Sequence, residues 1–356
     1  MADTDLVPLV HGAGDISAAW CDAALRHRLG GARVVAARTE PVGTGQVADT
    51  IRIRLQYDPP GAGPASLVAK VPSADETSLA GAAATRTYEI EASFYRDLAG
   101  DLPVRTPDCW YAAHDADTNA YVVVLEDVAP AVQGDQMHGC AVDDIAAAVD
   151  ELTLLHGARW GDPALRRLAW LDRVTSESLG ATADLVTWAY ASFREHYAAR
   201  LEPATVQLAD RFIPRIGAYV HHRPEPRTVV HGDFRADNLL FGGPRVVVVD
   251  WQTVTLGAGP SDLSYLLGAS LLPEVRRVEE RRLVARYVAG LRRAGVTVDD
   301  DAMWDDYRRY AFGGLIMAIV AQALVRRTDR GDEMFITMAD RHSRQALDLD
   351  SESLLR

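Results

Sequence analysis

Hydrophobic and polar positions alternate along the first third of the chain. Ile51, Ile53 and Leu55 occupy every second position between residues 50 and 57, which is the period of a strand with one buried face. Similar strand-like runs cover residues 32–38, 66–71, 110–113 and 121–125. Residues 82–99 lie among them and have helical spacing. The pattern predicts a β-rich block with one internal helix.

Beyond residue 129 the apolar positions recur at the three- and four-residue spacing of helices. Predicted helices cover residues 142–155, 182–200, 205–220, 274–294, 304–325 and 333–348. A short β-like insertion over residues 239–250 interrupts them. We therefore expect an α+β protein, with a β-rich N-lobe over residues 1–126 and a mainly helical C-lobe over residues 127–356.

The composition is that of a globular protein, with 48% hydrophobic and 24% charged residues among 356. A formal net charge of −13 makes a nucleic-acid or anionic-membrane surface a poor expectation. The three cysteines, Cys21, Cys109 and Cys140, are far apart. Their spacing indicates neither a disulfide framework nor a zinc site.

No segment has the pattern of a membrane or export signal. The N-terminal residues are acidic and lack the basic-then-apolar order of a signal peptide. The longest apolar stretch, residues 311–325, is shorter than the roughly 20 residues that a spanning helix needs. We expect a buried core helix there and a cytoplasmic protein without a membrane partner, and nothing in the pattern indicates an oligomeric state.

Candidate chemistry is concentrated in the octapeptide HGDFRADN, which begins at His231. It brings a carboxylate, Asp233, and an amide, Asn238, onto one tight turn. The strands predicted on both sides of the following Gly-Gly-Pro turn return the chain, so that Asp250 is expected beside Asn238. Phosphoryl transfer needs a carboxylate for the attacking hydroxyl and oxygen ligands for Mg²⁺. The alternative is a polar hairpin loop that satisfies its own backbone.

Two further elements suit nucleotide binding. Gly43 and Gly45 lie in a turn between strands, where glycine permits close approach of the backbone to phosphates. An ordinary hairpin turn is the alternative. Lys70 ends an apolar strand and is the only lysine among 37 basic residues, so a compact ammonium was kept there. A strand-end lysine pointing to water is the plain alternative.

A buried Lys70 needs an anionic partner, and the helical segment offers Glu89 and Glu91. Helical spacing puts Glu91 on the same side as Tyr95, so we favour Glu91, and an exposed helix-surface carboxylate is the alternative.

The order of these motifs resembles the aminoglycoside phosphotransferase / choline kinase-like superfamily. The shared features are the glycine turn, V-A-K, E-x-x-F-Y, L-E-D-V, H-G-D-F-R-x-D-N and V-D-W-Q, between about Val42 and Leu267. The chain looks most similar to the ecdysteroid-kinase-like branch and to the phosphotransferase domains associated with acyl-CoA dehydrogenases. The resemblance implies a protein-kinase-like bilobal fold and ATP- and Mg²⁺-dependent phosphorylation of a hydroxyl group on a small molecule.

The resemblance also implies roles for individual residues. It implies that Asp233 is the catalytic aspartate and that Asn238 and Asp250 are the metal ligands. Lys70 and Glu91 match the phosphate-binding pair, and Glu126 with Val128 match the hinge that holds adenine through backbone groups. Arg235 stands where protein kinases place a cation near the γ-phosphate, unless it is an exposed loop arginine. Asp262 matches an aspartate that supports the catalytic loop, while His231 and His156 are expected to brace and pack.

The departures from protein kinases favour a small-molecule kinase. Gly232 replaces the arginine of H-R-D, Trp251 and Gln252 replace Phe-Gly, and no activation loop follows. The identity of the acceptor alcohol is left open, but we expect C-lobe helices to hold it, chiefly those over residues 168–200 and 304–325. Five aromatic residues of the predicted helix over residues 182–200, and of the segment before it, either line an apolar pocket or belong to the core. They are Trp170, Trp188, Tyr190, Phe193 and Tyr197.

Acidic runs at residues 299–301 and 305–306 either attract a polycation or form solvated surface. A catalytically silent nucleotide-binding pseudokinase or scaffold is the alternative function.

Overall fold

In the computed structural model, the residues described are 7–43, 47–325 and 327–355. They group into two compact units. The first contains the residues up to Asp101, then Thr106–Ala129 and Asp250–Gln252. The second contains Leu102–Arg105, Pro130–Val249 and the residues from Thr253 onward. The short segment Asp250–Gln252 therefore packs with the first unit, although it is flanked in sequence by residues of the second.

The first unit is built on a five-stranded antiparallel sheet with the strand order β1-β2-β3-β5-β4. Ile51, Ile53 and Leu55 are buried, as their alternation predicts. The five strands are β1 (Arg33–Pro41), β2 (Ala48–Asp58), β3 (Ser66–Pro72), β4 (Cys109–His114) and β5 (Tyr121–Glu126).

The three helices of the first unit are α1 (Ala18–Leu25), α2 (Glu76–Thr85) and α3 (Thr87–Asp97). The single helix predicted over residues 82–99 is thus wrong, because the chain forms two helices that meet at Arg86. Arg86 has a left-handed φ of 58°, which an α-helix does not continue through. Its N–H bonds to the carbonyls of the preceding helix, so α3 starts in a new direction.

The second unit is mainly helical. Its helices are α4 (Val142–Ala158), α5 (Ser176–Tyr197), α6 (Pro203–Phe212), α7 (Ile216–Val220), α8 (Pro260–Ser270), α9 (Pro273–Arg293), α10 (Asp300–Arg309), α11 (Gly313–Leu324) and α12 (Asp329–Asp348). Across the described part of the chain, none of the helices has the length and apolarity that a bilayer crossing needs.

Two of the predicted long helices are broken in the structure. The segment predicted over residues 205–220 is interrupted by a 3₁₀ turn, Ile213–Arg215, which contains Pro214. The segment predicted over residues 304–325 is interrupted by a second 3₁₀ turn, Tyr310–Phe312, directly before two glycines. Glycine in a helix interior lowers its stability, which accounts for the second break.

Short strands frame the loop that carries the octapeptide. β7 (Thr228–Val230) enters the loop and pairs with β10 (Thr255–Gly257). β8 (Leu239–Phe241) leaves the loop and lies between β6 (Val132–Gln133) and β9 (Val247–Val248). The loop between β7 and β8 is therefore held at both ends by backbone pairing.

Candidate active site

In the first unit, Lys70, Glu91 and Asp250 form one cluster of charges, the Lys70–Glu91–Asp250 cluster. The Lys70 ammonium lies 2.8 Å from Glu91 Oε1 and 2.7 Å from Asp250 Oδ1. Its side chain is only 13% exposed. Burial lowers the pKa of Lys70, but the carboxylates of Asp250 and Glu91 outweigh burial and raise that pKa above its ordinary value. The lysine is therefore a fixed cation that does not point into water.

Glu91 is the partner of Lys70, as helical spacing predicts, and Glu89 is not. Glu91 is 1% exposed on α3 and accepts a hydrogen bond of 2.5 Å from the Tyr121 hydroxyl. The backbone N–H of Trp251 donates to it as well, at 3.2 Å. Glu89 instead accepts from Arg86 at 2.7 Å. Three donors of different kinds thus orient the Glu91 carboxylate.

Asp250 adopts a left-handed backbone with a φ of 67°, which is rare for a residue other than glycine. The next residue, Trp251, stacks on Phe94 of α3 with 4.0 Å between ring centroids and an interplanar angle of 9°. The Lys70 ion pair and this stacked indole hold the strained turn in place. Strain of this kind gathers at functional sites.

The predicted hinge and glycine turn also belong to the first unit. Glu126 ends β5, and its N–H donates to the Asp108 carbonyl at 2.8 Å, so that N–H is already bonded. Val128 follows and is half-buried. Gly43 has a φ of +75°, a conformation that favours glycine. Gly45 lies outside the described residues.

In the second unit, the octapeptide forms a loop over residues 231–238, the candidate catalytic loop. Asp233 is 8% exposed. The Asn238 amide nitrogen donates to the Asp233 carboxylate at 2.9 Å and to its backbone carbonyl at 2.8 Å. Arg235 Nε donates to the two carboxylate oxygens at 3.0 and 3.1 Å. The loop therefore presents one carboxylate whose oxygens are held from two sides.

Asp262, in the first turn of α8, supports the loop by accepting hydrogen bonds from its backbone. Its carboxylate accepts the backbone N–H groups of His231 at 2.6 Å and of Gly232 at 2.9 Å. Gly232 has a φ of +84°, and a Cβ there would lie 2.8 Å from the Thr253 carbonyl oxygen. Only glycine fits this position, which explains the departure from H-R-D. His231 Nε2 lies 3.0 Å from the Val249 carbonyl and braces the loop, as expected.

Arg235 is not an exposed loop arginine, since its side chain is 15% exposed. Beyond Asp233, it donates to Asp237 Oδ2 at 3.0 Å. Burial lowers the pKa of Arg235, but Asp233 and Asp237 raise it further, and the net pKa lies above the ordinary value. The guanidinium therefore stays charged between two carboxylates.

His156 is a packing residue, as predicted. It is fully buried, and its ring nitrogens lie 2.7 Å from the Tyr287 hydroxyl and 3.3 Å from Asp262 Oδ2. Its contact with Asp262 helps to orient the carboxylate that holds the candidate catalytic loop. His156 thus acts on the loop through a second residue.

Sequence reasoning missed two further residues beside the predicted site. Asp127 accepts from Arg52 at 2.6 Å and from Ser66 at 2.7 Å, which ties the segment after β5 to the sheet. Burial raises the pKa of Asp127, but these hydrogen bonds overcome it and lower that pKa. Tyr121 holds Glu91. Asp127 directly follows Glu126, yet only the pairing of β3 with β5 reveals its partners.

The five aromatic residues proposed for an acceptor pocket take other places. Phe193 and Tyr197 are buried core residues, and Trp170 is 8% exposed. Tyr190 donates to Asp210 at 2.8 Å, and Trp188 is 65% exposed. The core interpretation holds for three of them, and none of the five lines the cavity described below.

The acidic runs are engaged on the protein surface. Asp299 caps α10 by accepting the Ala302 N–H at 2.8 Å. Asp300 and Asp305 pair with arginines at 2.6 and 2.9 Å. These runs behave as solvated helix-start surface, the plain alternative.

Comparison with known proteins identifies relatives of the chain. The model of the phosphotransferase enzyme family (APH) matches residues 53–312. Acyl-CoA dehydrogenase family member 10 of Mus musculus is 30% identical over 106 residues, which cover 29% of this chain and 10% of that protein. The match thus spans about a tenth of the length of that relative.

Solved structures share the fold. A Ralstonia eutropha protein assigned as an aminoglycoside phosphotransferase superimposes with a TM-score of 0.54 at 17% identity, covering 92% of this chain and 97% of that one. The GDP complex of aminoglycoside 2'-phosphotransferase-IIIa gives a TM-score of 0.54 at 15% identity, covering 86% and 93%. The predicted protein-kinase-like α+β fold is confirmed, with a β-sheet in the N-terminal region and a mostly helical remainder.

Proposed function

Since the chain belongs to the phosphotransferase enzyme family, we propose that it transfers the γ-phosphoryl group of ATP, with Mg²⁺, to a hydroxyl group of a small molecule. The observation that carries this proposal is the buried Asp233 carboxylate, held by Asn238 at 2.9 Å on a loop supported by Asp262. Phosphoryl transfer relies on such a positioned carboxylate and on electrostatic stabilisation.

Asp233 receives the proton in this mechanism. The acceptor oxygen forms a bond to the γ-phosphorus as the bond from that phosphorus to the leaving ADP oxygen breaks, and the hydroxyl proton passes to Asp233. Both carboxylate oxygens of Asp233 now accept from Arg235 or Asn238. Arg235 is the group that can yield, because Asp237 offers it a second carboxylate. A released Arg235 guanidinium would stabilise the transferring charge.

The nucleotide contacts are proposed for the first unit. Lys70, fixed by Glu91, is assigned to the α- and β-phosphates, where a point charge suits the task. Gly43 and Gly45 are assigned to the glycine turn over the phosphates, and Glu126 and Val128 to the backbone groups at adenine. One neighbour of similar fold was solved as its GDP complex, so GTP is tested beside ATP.

Asn238 and Asp250 fit Mg²⁺ by the chemistry of their donors. The Asn238 amide nitrogen donates to Asp233, which leaves the amide oxygen as a ligand. Asp250 is a carboxylate with a partly exposed side chain. Mg²⁺ prefers oxygen ligands and is commonly held by one or two protein groups together with phosphates and water. When bound, it neutralises charge on the phosphates.

Calorimetric titration with ATP and with GTP, each with and without Mg²⁺, tests the nucleotide part. We expect Mg²⁺-dependent binding by the wild type and its loss in Asp250→Ala. Absence of binding under every condition would contradict the proposal and favour a non-catalytic scaffold role.

The transfer step is tested with Asp233→Asn. We expect nucleotide binding close to that of the wild type and a loss of about 10²- to 10⁴-fold in transfer to a hydroxyl acceptor. Asp184→Asn, at an exposed position of α5, is the matched control and should retain activity. Wild-type turnover in Asp233→Asn would show that the role assignment is wrong.

A further inference from the structure

A cavity of about 280 Å³ lies in the second unit beside the catalytic loop. Gly232 of that loop forms part of its wall. The other lining residues come from α5, α7, α8, α11 and the turn before α11, and those that carry hydroxyl groups include Thr182, Ser261, Tyr265 and Tyr310. The cavity thus lies next to Gly232, the residue that precedes Asp233.

Helix α11 supplies much of the apolar wall. Leu315, Ala318 and Ile319 are fully buried on its core side. Ile316 and Met317 are only half-buried and line the cavity, together with Val320. A helix that is apolar all round and not covered by protein leaves an apolar stripe for another occupant. The predicted core helix therefore has two roles, with one face in the core and one on the cavity.

The cavity offers no free charge to a cationic ligand. Asp262 is the sole charged residue among those that line it in the described chain. Its side chain is 2% exposed, and its oxygens already accept the N–H groups of His231 and Gly232. A bound cation would lose its hydration and gain no carboxylate, and contact with a tyrosine ring of the wall would offset only part of that loss.

Most hydroxyl groups of the wall are also engaged. Thr182 donates to the Ser178 carbonyl at 2.8 Å, and Ser261 donates to the Ala258 carbonyl at 2.7 Å. Tyr310 donates to the His222 carbonyl at 3.2 Å. These three hydroxyl groups are therefore already used as donors and offer a polyhydroxylated ligand only acceptor oxygens.

Tyr265 is different from these residues. Its hydroxyl is buried and interacts with the Asp233 carboxylate, but without a well-formed hydrogen bond among the residues that the structure describes. Burial, and then the charge of Asp233, raise the pKa of Tyr265 well above its ordinary value. The phenol is thus a neutral donor near the catalytic carboxylate, in the wall of an apolar cavity. A ligand oxygen would satisfy it.

We propose that the acceptor is a neutral alcohol with a compact apolar body, which enters this cavity and presents its single hydroxyl to Asp233 beside Tyr265. This inference rests on the proposed phosphotransferase function and names its substrate class. It excludes polycationic acceptors, for which the cavity has no free carboxylate. Phosphorylation would form a phosphomonoester of the alcohol and ADP, with the hydroxyl proton taken by Asp233.

The sharpest test uses two ligands of the same shape and different charge. Choline and 3,3-dimethylbutan-1-ol differ by a quaternary nitrogen in place of carbon, and 2-(1-adamantyl)ethanol adds a larger neutral body. Binding is measured without nucleotide by saturation-transfer NMR, and transfer with MgATP by ³¹P NMR. We expect the neutral isostere to exceed choline by about 10-fold or more in affinity and in kcat/KM, since burying an unpaired cation is unfavourable. Kanamycin serves as the polycation.

A charge placed in the wall should reverse this preference. Met317→Glu adds a carboxylate to the half-buried stripe of α11, and we expect weaker binding of the neutral alcohols and stronger binding of choline. Met317→Leu keeps the wall apolar and should behave as the wild type. Val278→Glu, at a position 76% exposed on α9, controls for the added charge and should change neither preference.

The binding measurement and the transfer measurement test the cavity inference and the phosphotransferase proposal separately. Preferential binding of neutral alcohols without any transfer supports the cavity inference and contradicts the phosphotransferase proposal. Transfer to choline or kanamycin in preference to the neutral alcohols supports the function and overturns the inference. Failure of both neutral alcohols to bind the wild type also overturns it.

Discussion

The Lys70–Glu91–Asp250 cluster and the candidate catalytic loop are both buried and charged, but they are built in opposite ways. In the cluster, Lys70 is separated by 21 residues from Glu91 and by 180 from Asp250. In the loop, Asp233 bonds to side chains two and five residues away. The cluster is assembled by charge attraction between distant segments, whereas the loop is a local turn.

The interactions that stabilise the cluster and those that stabilise the loop differ accordingly. Lys70 neutralises both carboxylates of the cluster, so removing it leaves two neighbouring negative charges without a cation. The loop keeps its shape through backbone N–H groups bonded to Asp262 and through the conformation of Gly232. Changes in the cluster should therefore alter stability together with function, while Asp233 can change with little loss of stability.

Lys70→Met should destabilise the Lys70–Glu91–Asp250 cluster. The carboxylates of Glu91 and Asp250 would then face each other without a cation, and we expect the free energy of unfolding to fall by about 4 kcal/mol. Urea titration measures this. Arg54→Met on the same sheet, where the arginine is 59% exposed, should cost less than about 1 kcal/mol. Equal losses in the two variants would refute the comparison.

Asp262→Asn tests the support of the loop. An asparagine oxygen can accept one of the two backbone N–H groups, and its amide nitrogen opposes the other. We expect a loss of about 2 kcal/mol in unfolding free energy and a lower kcat with unchanged Kd for nucleotide. Denaturant titration and nucleotide calorimetry check both. A weakened nucleotide affinity with normal kcat would assign Asp262 another role.

Gly232→Ala measures the crowding of the loop. Gly232 and Gly242 both have positive φ, at +84° and +96°, so alanine incurs similar backbone strain at each. Only at Gly232 does the added Cβ meet the Thr253 carbonyl, whereas at Gly242 nothing among the described residues lies within 4 Å. Thermal unfolding should show Gly232→Ala to be the less stable by about 1 kcal/mol. Equal stability would mean that the loop relaxes freely.

Local patterns were the predictable part of this molecule. Alternation located the strands of the first unit, since a sheet with one covered face imposes a period of two. Helical spacing selected Glu91 over Glu89 for Lys70, because positions on one face of a helix follow from periodicity. The octapeptide predicted a tight loop that carries Asp233 and Asn238 together, because the hydrogen bonds of that loop span only a few residues.

Features that depend on the third dimension were not predictable in this way. The helix break at Arg86 comes from one residue with a φ of 58°, which its residue type does not reveal. Periodicity could not decide whether the aromatic residues of α5 and of the segment before it line a pocket or belong to the core, because it shows that a residue is apolar and does not show whether protein or a cavity covers it. The hydrogen bonds of Asp127 with Arg52 and Ser66 depend on how the strands pair.

The amino-acid sequence determined the α+β class, the phosphotransferase resemblance, and the identity of the charged groups, since these follow from short-range spacing and residue chemistry. Tertiary structure alone decided that Asp250 joins Lys70 and which apolar face of α11 is left uncovered. The reason is that burial and electrostatic pairing depend on distances between segments far apart in the chain, and a one-dimensional pattern does not contain those distances.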